Sequence, residues 1–287
     1  MSKDNPLVNF QRDLHQQVTF ALQEDIGDGD ITASLIPENK NASARIICRE
    51  EAVICGQEWV NESFHQLNAD TRIEWQINDG ELAKPDQTLC LISGNARSLL
   101  TAERTALNFL QTLSATATLA RQYAQAVDGL TARVLDTRKT LPGLRMAQKY
   151  AVFCGGCDNH RMGLHDAVLI KENHIATAGS VDKAVSAARN LLVHKDILIE
   201  VEVENLKQLQ EALNAGADRV LLDNMDIDML KEAVNINKGK AGLEASGGIT
   251  LKNIRNIATA GVDYISIGAL TKDIKAIDLS MRITIDD

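Results

Sequence analysis

Three groups of residues in this chain of 287 have the types and spacing to do chemistry. The first is cationic: Arg104, Arg138, Lys139, His160, Arg161 and Lys171. A guanidinium grips a carboxylate or phosphate through two parallel hydrogen bonds, so several such groups converging suit a polyanion. A lone Arg or Lys is ordinarily a solvated surface charge. Arg138, Lys139 and Lys171 differ because each follows closely on a short apolar run, Arg133-Val134-Leu135-Asp136 or Ala167-Val168-Leu169-Ile170. The second group is acidic: Glu202 and Asp223 stand 21 residues apart on successive strand-like runs. Paired carboxylates hold Mg²⁺ with its waters, or face the positive charge that develops in glycosyl transfer. Glu200, Glu202 and Glu204 share one strand face by the period of two, and at least one of them is expected to be an ordinary charge at a sheet edge. The third group is small. Ser246-Gly247-Gly248 precedes a helix near Thr250, and Ile267-Gly268-Ala269 follows one unit later. A single Gly-Gly is usually a turn, but two such tips on the final two strands predict a phosphate cradle of backbone N–H groups.

The elements that must position these groups are legible in the hydrophobic rhythm. From residue 130 onward, strand-like and helical runs alternate. The strand runs are 133–137, 167–172, 196–203, 219–224, 242–248 and 263–269, and helical stretches follow four of them. The last four starts fall about 21 to 23 residues apart, the signature of βαβ units on a parallel sheet. Six such strands suit an α/β barrel that is incomplete or hides a strand, and the working residues of such a barrel sit where strands end. Ahead of it, residues 10–26 and 97–128 read as helices, and 43 to about 95 as short alternating strands around a helix at 58–68. The expected division is a small N-terminal α/β domain over 1–115, with the segment 272–287 returning to it, and a barrel over 116–271.

Composition narrows the class. Hydrophobic residues make up 45 % but aromatics only 3 %, so Leu, Ile, Val and Ala must fill the core. A net charge of −9 argues against broad nucleic-acid binding, which needs basic surface to displace counterions. The polar opening MSKDNPLVNF and the lack of long apolar runs predict no membrane partner and a cytoplasmic location. The five cysteines form no secreted framework. Cys154 and Cys157 have zinc or redox spacing, but no second pair accompanies them. His15, His65, His165 and His194 are read as surface or packing residues.

Taken together, ICGQEWVNESF (54–64), ERTALNFLQTLS (103–114), DTRKTLPGLR (136–145), NHRMGLHDAVLIKENHI (159–175), EVEVEN (200–205), LLDN (221–224), EASGGI (244–249) and ISIGALT (265–271) resemble the quinolinate phosphoribosyltransferases, decarboxylating enzymes of NAD synthesis. The resemblance runs from about residue 20 to 283 and implies an α/β sandwich followed by an incomplete barrel. It implies that Thr137, Arg138, His160, Arg161 and Lys171 hold quinolinate, with Arg104 reaching in from a partner subunit of a homodimer or larger assembly. It assigns phosphoribosyl pyrophosphate to Lys139, Glu202, Asp223, Ser246, Gly247, Gly248, Ile267, Gly268, Ala269 and Lys272, with Mg²⁺ as cofactor near Glu202 and Asp223, and makes Lys139, Lys171, Glu202 and Asp223 the catalytic set. The sequence departs from the usual family pattern at Ala115, Cys157 and Lys272. A related phosphoribosyltransferase acting on another carboxylated ring is the alternative, and a Schiff-base aldolase using Lys171 is a rival of a different class.

Overall fold

The computed structural model describes residues 11–192 and 197–285. Chain contacts divide it into two compact units, one of residues 1–121, 140–156 and 270–287, the other of 122–139 and 157–269.

The first unit begins with α1 (Gln11–Ile26) and builds a four-stranded antiparallel sheet. Its strands are β1 (Asn41–Cys48), β3 (Arg72–Trp75), β5 (Thr88–Asn95) and β12 (Leu279–Ile285), in the order β12-β1-β5-β3. A two-stranded ribbon pairs β2 (Ala52–Val53) with β4 (Leu82–Ala83), and α2 (Gln57–His65) lies between them in the chain. β1 alternates exposed and buried positions until Ile46, as a sheet with one covered face must. The cover includes α3 (Ala96–Ala126), 31 residues without Pro or Gly. Leu99, Ala102, Ala106, Leu107 and Leu110 recur on it at helical spacing and enter a core with Ile46, Phe64 and Leu89.

The expected domain border at 115 falls inside α3. Helix α4 (Arg145–Cys154), expected to lie in the barrel, groups with the first unit instead. There the Gln148 amide donates to the Thr271 carbonyl at 2.9 Å, and the Tyr150 hydroxyl to Asp79 at 3.0 Å.

The second unit is one parallel sheet of six strands: β6 (Arg133–Leu135), β7 (Val168–Ile170), β8 (Ile199–Val203), β9 (Arg219–Asp223), β10 (Gly242–Ser246) and β11 (Tyr264–Ser266). Their order is β6-β11-β10-β9-β8-β7, which leaves β6 and β7 at the two edges. α5 (Glu172–Ala178) and α6 (Val181–Leu191) both follow β7, α7 (Leu206–Asn214), α8 (Ile227–Asn237) and α9 (Ile254–Thr259) follow β8, β9 and β10, and α10 (Ala269–Lys272) ends the series after β11. Each strand is shorter than its sequence reading because the polar tip residues leave the ladder; Asp196 of the expected third strand lies outside the described residues.

Alternation sorts the strands into two faces. Ile199, Val201, Val203, Val220, Leu222, Leu243, Ala245 and Ile265 are buried on one. The other carries Glu200 and Glu202, Arg219 and Asp223, Glu244 and Ser246, Tyr264 and Ser266. Parallel register sets Glu200 opposite Arg219, Glu202 opposite Leu221, and Asp223 opposite Ser246. The turns after the strands are fixed by helix caps. Asn205 accepts from the Gln208 N–H at 3.0 Å and Asp226 from the Met229 N–H at 2.9 Å, each cap worth about 1 kcal/mol.

Candidate active site

The loop after β6 and the segment before β7 are held together by Asp136. Its carboxylate is fully buried and accepts the Asn159 amide at 2.7 Å and the His160 backbone N–H at 2.8 Å. An ionised carboxylate accepting such bonds is a strong local clamp. It sets His160 and Arg161 beside the Thr137-Arg138-Lys139 tip. The Arg161 guanidinium donates to the Ala167 carbonyl at 3.2 Å and is half-buried. Burial, and then the like charge of Arg138, hold the Arg161 side chain below its ordinary pKa. Two guanidinium groups close enough to repel each other make a place for an anion.

Further along the sheet the Lys171 ammonium pairs with Glu202 at 2.5 Å. Lys171 is the N-cap of α5, its backbone N–H donating to His174 Nδ1 at 3.0 Å. The tip read from sequence as a loose polar run is therefore the first turn of a helix. Asp223 accepts the Asn224 side-chain amide at 2.8 Å. Asn224 has a left-handed backbone (φ 55°), and its N–H donates to the Ser246 carbonyl at 2.9 Å. That brings it against Gly247 (φ +98°), where a Cβ would stand only 2.1 Å from the Asn224 Oδ1. Gly247 is thus required twice over, by backbone angle and by space. At Gly268 an added Cβ would meet Lys139 Cδ at 3.2 Å, so bare backbone lets the lysine lie across the β11 tip.

The structure thus gathers Thr137, Arg138, Lys139, His160, Arg161, Lys171, Glu202, Asp223, Ser246, Gly247, Gly248, Ile267, Gly268 and Ala269 into the second unit. All stand at or beyond strand ends except Glu202, one residue inside the end of β8, and His160 and Arg161, which lie in the segment before β7. Arg104, exposed on α3, and Lys272, exposed at the end of α10, belong to the first unit. Glu204 lies exposed past the end of β8 and is the plain surface charge expected among the three glutamates. Glu200 is the opposite: it is fully buried.

Sequence reading gave Glu200 no role and named neither Glu244 nor Arg219, the groups beneath the tips. Glu200 and Glu244 are both fully buried, and His160 Nε2 stands 3.0 Å from one and 3.5 Å from the other. Arg219 reaches Glu244 at 3.2 Å while its guanidinium lies over the Tyr264 ring, 4.0 Å from the centroid. Burial, and then the Glu200 charge, push the Glu244 carboxyl up to about 7. Burial raises Glu200 as well, with Arg219 pulling back. The available signal was a charged residue flanked by Leu243 and Ala245 in an otherwise apolar strand.

Cys154 ends α4 and has Cys55 and Asp79 for neighbours, one ligand atom of each lying within 4.8 Å of the others. The Asp79 carboxylate already accepts the Gly56 N–H at 3.0 Å and the Tyr150 hydroxyl at 3.0 Å. Burial raises the Cys55 thiol well above its ordinary value, which suits packing rather than reactivity. A cleft of about 970 Å³ in the first unit, lined by Gln17, Phe20, Phe109, Leu141 and Arg145 among others, holds none of the strand-tip residues.

Comparison with known proteins agrees with this geometry over nearly the whole chain. The model of the quinolinate phosphoribosyl transferase N-terminal domain matches residues 30–114, and that of the C-terminal domain matches 116–282. The nicotinate-nucleotide pyrophosphorylase structure from Francisella tularensis is 47 % identical, with a TM-score of 0.91 over 95 % of this chain and 96 % of that one. A probable nicotinate-nucleotide pyrophosphorylase (carboxylating) of Bacillus subtilis is 39 % identical over 92 % of this chain and 91 % of its own. A mitochondrial quinolinate phosphoribosyltransferase (decarboxylating) of Nicotiana tabacum is 39 % identical over 94 % of this chain and 82 % of its own. With both domain models matched in order and the strand-tip groups in one unit, the chain belongs to the quinolinate phosphoribosyltransferase family.

Proposed function

We propose that this protein transfers the phosphoribosyl group of phosphoribosyl pyrophosphate to the ring nitrogen of quinolinate, with loss of pyrophosphate and CO₂, to give nicotinate mononucleotide. The observation that carries the reading is the buried Asp136 clamp, which sets His160 and Arg161 beside the Thr137-Arg138-Lys139 tip in the unit that also carries Glu202 and Asp223. A dianionic ring suits that cationic group, and the carboxylates Glu202 and Asp223 await the positive half of the reaction.

Arg138, His160 and Arg161 hold the two ring carboxylates and aim the nitrogen at the sugar. Lys171 serves from the rim, with its ammonium kept in place by Glu202. An ammonium so paired has no lone pair to attack a carbonyl, which disfavours the aldolase reading. Lys139, the Ser246-Gly247-Gly248 turn and the β11 tip take the phosphates. Glu202 and Asp223 face the charge that develops at the sugar as pyrophosphate leaves. Alkylation makes the ring nitrogen cationic, and that charge stabilises the electron pair left when the neighbouring carboxylate departs. The protein supplies position and preset electrostatics, and no covalent intermediate is needed.

Glu202 and Asp223 also fit a Mg²⁺ that keeps most of its waters, since they lie on one face of adjacent strands and offer oxygens only. Such an ion neutralises the pyrophosphate when bound. Arg104, exposed on α3, completes the site of a partner subunit in a homodimer or larger assembly. No helix among the described residues is long and apolar enough to cross a membrane; we place the enzyme in the cytoplasm.

Incubation with quinolinate, phosphoribosyl pyrophosphate and Mg²⁺ tests the reading. Nicotinate mononucleotide and one labelled CO₂ per turnover from the 2-carboxyl group are expected. Product from nicotinate in place of quinolinate, without CO₂, would transfer the assignment to the alternative ring substrate.

A further inference from the structure

The reaction just given uses the parallel sheet near its strand tips, yet the same face carries a cationic group at the opposite strand ends. Arg219 opens β9, Gly242 opens β10 and Tyr264 opens β11. β10 lies between the other two strands, and Gly242 brings no side chain to separate them. A Cβ there would meet Tyr264 Cε2 at 3.2 Å and Arg219 Cγ at 3.7 Å. Across that bare backbone the Arg219 guanidinium lies over the Tyr264 ring, 4.0 Å from its centroid. Its side chain is only 15 % exposed. An arginine both stacked on a ring and paired with a carboxylate is held in one place.

A short chain of contacts runs from Arg219 to the groups assigned to quinolinate. Arg219 donates to Glu244 Oε2 at 3.2 Å. The same oxygen stands 3.5 Å from His160 Nε2, and Glu200 Oε2 stands 3.0 Å from that nitrogen. On the other side of the ring, His160 Nδ1 accepts the Arg161 backbone N–H at 2.7 Å. The ring hydrogen is then on Nε2 and faces the acids. The imidazole is fixed at both nitrogens, and the outer end of the chain is Arg161 itself. Glu200 Oε1 is buried and has no hydrogen-bond partner among the described residues. A buried acid short of partners draws on any cation in reach. The Arg161 guanidinium feels the Glu200 charge. A cation that occupies the acids from the far side keeps them from claiming it.

We propose that Arg219 is a positioning residue: from the far ends of the strands it occupies Glu244, holds that acid against His160, and leaves the Arg161 guanidinium to grip a ring carboxylate. A guanidinium keeps its charge through the whole working range of pH, so the role involves no proton transfer. This inference rests on the quinolinate reading above.

The test is calorimetric titration of the full-length protein with quinolinate at neutral pH, with steady-state kinetics beside it. Arg219→Gln should weaken quinolinate binding and raise its KM about tenfold, the worth of one misdirected charge-assisted hydrogen bond. The kcat and the KM for the phosphoribosyl donor should stay level. Arg219→Lys, which keeps the charge, should recover most of the loss. On an Arg161→Ala background Arg219→Gln should cost little more, because the two act through one contact. Level quinolinate affinity in Arg219→Gln, even with a lowered melting temperature, makes the residue structural only; it overturns the inference and leaves the site reading intact. A loss spread equally over both substrates, or fully additive losses with Arg161→Ala, does the same. If Arg219→Gln fails to fold, Tyr264→Leu decides. It removes the ring under the guanidinium and should raise the quinolinate KM about threefold, and a level KM there overturns the inference. Wild type that binds no quinolinate would remove the site reading and this inference together.

Discussion

Both sheets of this molecule bury an apolar face, but only the parallel one also buries acids. The antiparallel sheet of the first unit turns Ala44, Ile46, Cys90 and Ile92 toward α3, and its core cluster is apolar throughout. The parallel sheet of the second unit buries Glu200, Glu244 and Ser266 on its inward face, with Asp136 sealed beside β6. An apolar face gains stability from burial, whereas a buried acid costs it unless partners compensate. The first sheet is therefore built to hold, and the second gives up stability to keep charges at fixed points.

Breaking one face at a time should separate the two. The largest expected effect is at the anion pocket. On the proposed reading Arg161→Ala removes the guanidinium's grip on a ring carboxylate, and kcat/KM for quinolinate should fall about 10³-fold, or about 4 kcal/mol, with a melting temperature close to wild type. Leu110→Ala, in the apolar core, should do the reverse: about 2–5 kcal/mol lost in denaturant unfolding, with unchanged turnover per folded molecule. If Leu110→Ala lowered turnover as much as stability, the division of labour between the sheets would be wrong.

A third test uses pH. The Glu244 carboxyl binds its proton more tightly folded (about 7) than at its ordinary value of 4.5. Its contribution to stability is thus present below 4.5 and lost as pH rises through 7. That loss is about 3 kcal/mol across the window at most, and Glu244→Gln should flatten it in urea titrations at pH 5 and 8. A smaller effect is expected at Gly247→Ala, where a methyl would press on Asn224. Displacing the tip by roughly 1 Å should lower kcat/KM for the phosphoribosyl donor about 10²-fold. The mildest test mixes Arg104→Ala with Glu202→Ala. Each alone should be nearly inactive, and subunit exchange should restore up to about a quarter of wild-type activity if the site is shared between subunits.

The parallel sheet was legible because its strands repeat at even spacing and each ends in polar residues. All six sequence-read strand runs are found; Arg138, Lys139, Lys171 and Asp223 stand at or beyond their ends, and Glu202 one residue inside the end of β8. Depth was not legible. The period of two puts Glu200 and Glu202 on one face, but only the cross-strand register shows that Glu200 sits opposite Arg219, well below the rim. Nor could the chain announce that α4 groups away from the sheet that flanks it in sequence, because that choice is made by Gln148 and Tyr150 finding partners at Thr271 and Asp79. Local pattern specifies faces and tips; contacts between distant segments specify neighbours.

β12 has a consequence for biogenesis. It pairs with β1 along Ala42–Cys48, while β5 holds the other side of that strand, so β1 is interior only when β12 has been made. During translation every strand of the parallel sheet emerges first. Until β12 arrives, the β1 ladder offers open hydrogen-bonding groups to any extended segment nearby. Nascent chains stalled before Leu279 should therefore be the species that chaperones retain, and a ribosome display series across 270–285 should show protease resistance of the first unit appearing late and in one step.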